Sequence, residues 1–261
     1  MVLYTQKKII MYTPPFEITS KIIELISNIS EKIGEISSIQ NNSHYIQLRK
    51  ENRIQTIHSS LAIENNSLSL EQITAIIDGK RVLGNPNEIQ EVKNSVQAYD
   101  LLLTLNPYNE KDLLKAHKLM MQDLVERNGN YRTDGVGIFD GEHVVHVAPS
   151  AKRVPELMAD LFEWLKTSDV HPLIKSCVFH YEFEFIHPFQ DGNGRVGRII
   201  AFKECLKNNI VPFIILDKEK LFYYRGLNQY QTNKEKGYLI DTCLNAQDQY
   251  TGMIKYYIGN K

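Results

Sequence analysis

Apolar residues recur at three- and four-residue spacing along most of this chain, the period of helices that bury one face. Ile22, Ile23, Ile26, Ile29 and Ile33 follow Thr19 and Ser20, either of which can cap the helix they predict. The Ser- and Asn-rich stretch 37–43 reads as a turn. A second helix is expected over 45–63, with Leu48, Ile54, Ile57 and Leu61 along one side. It stops at Glu64-Asn65-Asn66-Ser67, where asparagine can supply a left-handed residue. Ser69 and Gln72 open a short helix to Ile77, closed by Asp78-Gly79. Helices follow over 86–105, apolar at Ile89, Val92, Val96, Tyr99 and Leu103, and from Asn109 or Asp112 through Leu124. Val154-Pro155 puts proline in the first turn of another, striped by Leu157, Leu161, Trp164 and Leu165. The stretch 173–186, opened by Pro172, is apolar nearly all round, which makes that helix central. The last helices are expected over 195–206, 221–231 and 239–257.

The period changes at Val136-Gly137-Ile138-Phe139, Asp140-Gly141 and His143-Val144-Val145-His146-Val147, which read as a β-hairpin with an Asp-Gly turn. A lone hairpin is marginal and should rest against something. Pro14-Pro15-Phe16 marks an extended lead-in along the surface, and 211–216 is a short, strand-like apolar run. The pattern predicts an all-α fold bearing one hairpin.

Composition alters this little. A hydrophobic share of 43% supplies a core, and 30 basic against 31 acidic residues give no push toward nucleic acid or membrane. Cys177, Cys205 and Cys243 lie far apart without metal or redox spacing and read as buried, reduced thiols. No apolar run reaches the ~18 residues of a membrane span. Ile9-Ile10-Met11, behind Lys7 and Lys8, is too short for a signal-peptide core, so the expected location is cytoplasmic.

Chemistry concentrates in residues 187–198, His-Pro-Phe-Gln-Asp-Gly-Asn-Gly-Arg-Val-Gly-Arg. Gly192 and Gly194 let backbone N–H groups approach an anion, and a helix starting near Gly194 would favour a phosphate at its N-terminus. Arg195 and Arg198, three apart, can fork onto phosphate oxygens; Asp191 suits a phosphate-bound Mg²⁺; His187 can titrate near neutral pH. Residues 192–197 also spell the dinucleotide fingerprint G-x-G-x-x-G, with Asp217 twenty residues on. That reading needs an apolar strand running into the first glycine, but His187, Pro188, Gln190 and Asp191 intervene and nothing upstream alternates strand and helix. His117 reads as a packed or partly solvated histidine and His180 as a structural, hydrogen-bonding one; the spacing of His180, Glu184 and His187 is not that of a zinc protease.

As a whole these twelve residues resemble the signature of the Fic family, HPFx[DE]GNGRxxR, with every fixed position present. The resemblance implies a Fic-type helical bundle that transfers AMP from Mg-ATP to a protein hydroxyl. It makes His187 the general base, Phe189 the loop's anchor, Asp191 the Mg²⁺ ligand, and Gly192, Asn193 and Gly194 the anion cradle. Arg195 would hold the β-phosphate and Arg198 the γ-phosphate. Ser60-Leu61-Ala62-Ile63-Glu64-Asn65 resembles the family's inhibitory motif [ST]xxxE[GN], which assigns Ser60, Glu64 and Asn65 to autoinhibition. The hairpin, with Gly137, Ile138, Phe139, His143, Val144 and Val145, is similar to the flap that pins a target peptide by strand addition. Tyr223, Tyr224 and Asn228 are placed like the wall around the adenine. The implied division is an N-terminal helical region 1–107, a catalytic core 108–210 and a C-terminal helical extension 211–261. The implied partners are ATP and a target protein offering a Ser, Thr or Tyr hydroxyl, with a homodimer left open; no nucleic-acid module is visible. Two alternatives stand beside transfer. One is removal of AMP, with Glu64 positioning water; the other is a non-catalytic interaction module, which would need neither His187 nor Asp191.

Overall fold

The computed structural model describes residues 12–38, 44–102, 104–140, 143–232 and 237–259. Ten α-helices and one hairpin make up the regular structure among them. In order they are α1 (Ser20–Ser38), α2 (His44–Ile63), α3 (Leu70–Ile77), α4 (Pro86–Leu101), α5 (Glu110–Met120), β1 (Gly137–Asp140) and β2 (His143–Val147). Then come α6 (Val154–Thr167), α7 (Pro172–Ile186), α8 (Asn193–Lys207), α9 (Lys220–Gln231) and α10 (Tyr238–Gly259). The all-α expectation with a single hairpin holds. No helix among the described residues is long and apolar enough to cross a membrane.

α7 is the axis of the core: from Leu173 to Ile186 every residue but Phe185 is buried, and α6, α8, α9 and α10 pack around it. A helix buried on all sides must pair its polar residues internally. Lys175 Nζ meets Glu204 at 3.2 Å, His180 Nε2 lies 2.7 Å from the Tyr223 hydroxyl, and Glu182 accepts from Tyr12 and Tyr230. All three cysteines are buried free thiols, as expected.

Caps start the helices where the sequence signals them. Ile22 N–H donates to Thr19 Oγ1 (3.2 Å), and Ser69 with Gln72 forms a capping box. Asn85 and Asn109 cap α4 and α5. Asn65 ends α2 with φ 65°.

Several details differ from the sequence reading. Ile23 is 59% exposed; the buried stripe of α1 is Ile22, Leu25, Ile29 and Ile36, so the face is rotated. α1 runs through Ser38, into the expected turn, whose remainder, 39–43, lies outside the described residues. α4 stops four residues early, as Leu102 and Thr104 donate to carbonyls only three back, and Leu103 is not among the described residues. α5 stops at Met120, where the Asn94 amide takes the carbonyls of Met120 (3.2 Å) and Gln122 (2.7 Å) and Asp123 turns left-handed, φ 60°. The lead-in is no surface strap: Pro14 is buried, Tyr181 donates to Pro15 O (2.8 Å), and Phe16 packs on Trp164. The run 211–216 has no ladder partner, since Pro212 lacks a donor; its Val211 carbonyl accepts from Gln247 instead.

β1 and β2 pair antiparallel, Gly137 opposite Val147 and Ile138 opposite His146, with a bulge before Phe139 meets Val144. His146 Nε2 anchors the hairpin to α7 at Phe185 O (2.9 Å). The turn residues Gly141 and Glu142 lie outside the described residues.

Candidate active site

α7 ends at His187, a left-handed C-cap (φ 50°, ψ 62°) whose N–H donates to Phe183 O (2.9 Å). Six residues later α8 begins, so the loop 188–192 joins a helix C-terminus to a helix N-terminus. Asn193 fixes it from within, accepting from Phe189 N–H (2.8 Å) and donating to Phe189 O (2.9 Å). Phe189 is fully buried and stacks on His117, ring centroids 3.7 Å apart.

Two residues that the sequence reading did not assign to the site hold this loop. His117 accepts from Gly129 N–H at Nδ1 (2.7 Å), which leaves the hydrogen on Nε2 to reach Asp191 O (3.0 Å). Burial pushes its pKa down to about 4, so the ring is neutral, as that arrangement requires. Arg132 donates from Nε to His187 O (2.7 Å) and from Nη2 to Ile186 O (3.3 Å) and Pro149 O. It therefore ties the end of α7 to the foot of the hairpin. His117 lies on the buried face of α5 with Leu113 and Met120, whereas no periodicity marks Arg132; each is one side chain from a distant element.

His187 is itself pushed down to about 4, first by burial and then by Arg132 and His146, with the main-chain carbonyl of Glu184 opposing. The imidazole is neutral at neutral pH and able to take a proton. Its Nδ1 lies 3.9 Å from Glu184 Oε2. Burial raises Glu184 to about 8, with the charge of Glu64 adding and Arg198 opposing.

The first turn of α8 leaves the amides of Asn193, Gly194 and Arg195 without helical acceptors. Gly192, at φ 81°, has Met121 Sδ where a side chain would start. Arg195 donates from Nη1 to Glu91 Oε1 (3.0 Å) and from Nη2 to Asp191 Oδ1 (3.2 Å), while its buried Nε has no partner among the described residues. Arg198, fully buried, donates to Glu64 Oε1 (2.7 Å), Ser60 Oγ (3.0 Å), Ser60 O (2.9 Å) and Tyr223 OH (3.3 Å). Burial opposes its charge, but Glu64 and then Tyr223 outweigh burial and hold its pKa above the ordinary value. The Glu64 carboxylate lies directly over Gly194, in space a Cβ would occupy.

His187, Asn193, Arg195, Arg198, Ser60, Glu64 and Tyr223 thus lie around one loop, while Tyr224 and Asn228 do not join it. Tyr224 donates to Ile63 O and, with Lys220 Nζ on Ala62 O and Asn65 Oδ1 (both 2.8 Å), grips the end of α2. Asn228 is one turn further along α9, and no described contact links it to the cradle. The side-chain surroundings of 138–145 lie outside what the structure describes; the hairpin backbone stands beside the end of α7. Asp191 fits a divalent cation: its side chain is 57% exposed, and Mg²⁺ commonly takes one or two carboxylates plus phosphate and water. No group of three or more His, Cys, Asp or Glu among the described residues could hold a metal by itself.

Comparison with known proteins shows the fold and the family. The model of the Fic/DOC family matches residues 107–204. The crystal structure of a Fic family protein from Desulfovibrio desulfuricans G20 superposes with a TM-score of 0.84 at 44% identity, covering 94% of this chain and 77% of that one. Fic-1 of C. elegans shares the fold, TM-score 0.74 at 22% identity over 90% of this chain and 73% of its own. The protein adenylyltransferase Fic of Nematostella vectensis is 28% identical over 222 residues, 79% of this chain and 50% of its own length. The chain spans about half the length of the curated relatives it matches.

Proposed function

Because this chain belongs to the Fic family, we propose that it is a protein adenylyltransferase, moving AMP from Mg-ATP to a Ser, Thr or Tyr hydroxyl of a target protein. The observation that carries the reading is a neutral, buried imidazole one short loop away from a helix N-terminus flanked by two arginines. The free amides of α8 and its dipole bind phosphate oxygens. Arg195, through its unpartnered Nε, and Arg198 clamp the outer phosphates and align the α-phosphorus for in-line attack. The target hydroxyl oxygen bonds to that phosphorus as the bond to the bridging oxygen breaks and pyrophosphate leaves. His187 Nε2 takes the hydroxyl proton. When bound, Mg²⁺ supplies charge compensation on the phosphates, and Asp191 is the residue to hold it. The hairpin, a two-stranded sheet with open edges among the described strands, offers its main chain to the target by strand addition.

Glu64 holds the site off. Its carboxylate takes the guanidinium that a γ-phosphate needs, in a pair whose arginine is 2% exposed. Ser60 occupies two further donors of the same group. An ion pair sheltered in this way is strong enough to keep Arg198 from ATP, which then lies wrongly for attack.

The test is labelling of the chain with α-labelled ATP, followed by intact mass, in wild type, Glu64→Gly and Glu64→Gly with His187→Ala. Glu64→Gly should exceed wild type by about a hundredfold, and the double variant should be silent. Equal labelling in the first two removes Glu64 from its role. A Glu64→Gly chain that labels with no nucleoside triphosphate sinks AMP transfer.

A further inference from the structure

Arg195 is bound on both sides by carboxylates of different origin. Asp191, four residues earlier, accepts from Nη2 at 3.2 Å. Glu91 comes from α4 and accepts from Nη1 at 3.0 Å. The exposures differ: the Asp191 side chain is 57% exposed and that of Glu91 20%, with Arg195 between them at 4%. Glu91 is itself aimed, since its second oxygen accepts from Asn66 Nδ2 at 2.8 Å. Asn66 is buried, donates also to Glu88 O (3.2 Å) and accepts from Leu68 N–H (3.1 Å), so its amide cannot swing.

A guanidinium beside one carboxylate closes into a two-bond fork with it. Arg195, in the first turn of α8, is four residues from Asp191 in the loop before it, near enough to do so. A forked Asp191 would commit a lone pair of each oxygen to arginine and be a poorer ligand for a cation. Glu91 competes for the same guanidinium from the opposite side and holds Arg195 to a single bond with Asp191.

We propose that Glu91 is the positioning residue of the phosphate cradle: by holding Arg195 from α4, it leaves Asp191 a carboxylate oxygen for the divalent cation that accompanies the nucleotide. The inference rests on the nucleotide reading of the site and names the residue that sets its cation dependence. Asn66 orients Glu91, which places the setting of Arg195 under the segment that ends α2.

Calorimetry of ATP binding, with Mg²⁺ and with a chelator, separates this role from a structural one. On the Glu64→Gly chain, Mg²⁺ should tighten ATP binding. In Glu64→Gly with Glu91→Ala, that gain should shrink by about tenfold, the worth of one hydrogen bond to a charged group, while binding without Mg²⁺ holds. Glu91→Gln keeps the oxygen and drops the charge, so its gain should fall between; Asn66→Ala should shift the gain in the same direction. If Glu91→Ala fails to melt cooperatively, the Glu91→Gln result decides. An unchanged Mg²⁺ gain in both Glu91 variants overturns the proposal, as does an equal loss of affinity with and without Mg²⁺. Binding needs no transfer: a Glu64→Gly chain that binds ATP and labels nothing sinks the AMP reading alone, and one that binds no ATP sinks both.

Discussion

His187 combines a left-handed backbone with a buried, neutral ring, and both have consequences for a single side chain. Burial pushes His187 and His117 down to about 4, whereas an unfolded histidine titrates near ~6.5. Below ~6.5 the unfolded chain binds protons that the folded chain refuses, so unfolding becomes easier as the solution acidifies. The stability from these two rings is complete above ~6.5 and lost as pH falls to ~4, up to about 3 kcal/mol for each. Thermal unfolding at neutral and acid pH checks this. Wild type should lose more stability on acidification than His187→Asn, asparagine being tolerant of positive φ. Equal losses would show that His187 is not held neutral. Gly194 carries a different constraint: a methyl there would strike the Glu64 carboxylate and the Arg198 guanidinium.

Elements that start with a cap and a periodic stripe were legible in the sequence, because capping is local chemistry. Thr19, Asn109 and the Ser69–Gln72 box all act within one turn of themselves. The ends of α4 and α5 were not legible, since α5 stops under an amide supplied by α4, a tertiary contact. The apolar run 211–216 looked like a strand for its β-branched residues; burial against α1 and α10 accounts for those instead. The same division holds at the site. The 187–198 loop and the 60–65 segment are contiguous and readable, whereas His117, Arg132 and Glu91 each reach in singly from another element. The hairpin yields a prediction of its own. Proline placed singly at Phe139, Val144 and Val145 removes main-chain donors from a two-stranded sheet. Target modification should fall by about tenfold at one or more of them, with ATP affinity unchanged by calorimetry. Full modification in all three variants would end the flap proposal, and a parallel loss of ATP affinity would mark damage to the nucleotide site instead.

Among the described residues, the larger of two hydrophobic clusters runs from α1 to α10, and the family model's match at 107–204 covers only its middle. α2 lies outside that match yet is fastened at its end by three helices: α8 through Arg198, α4 through Glu91 and Glu88, and α9 through Lys220 and Tyr224. The Glu64–Arg198 pair is thus made within one chain, and mass action treats it accordingly. A tethered group meets its partner at an effective concentration fixed by geometry, on the order of millimolar for a flexible tether. Dilution cannot loosen it and crowding cannot tighten it. On the restraint proposed for Glu64, the working fraction of wild-type protein would be a property of the sequence, the same in a cell that makes few copies and one that makes many. The self-labelling rate per molecule of wild type should therefore stay constant through a dilution series. A rate that falls as protein concentration rises would mean that a second copy takes part in the restraint, and one that climbs in proportion would mean that one copy labels another.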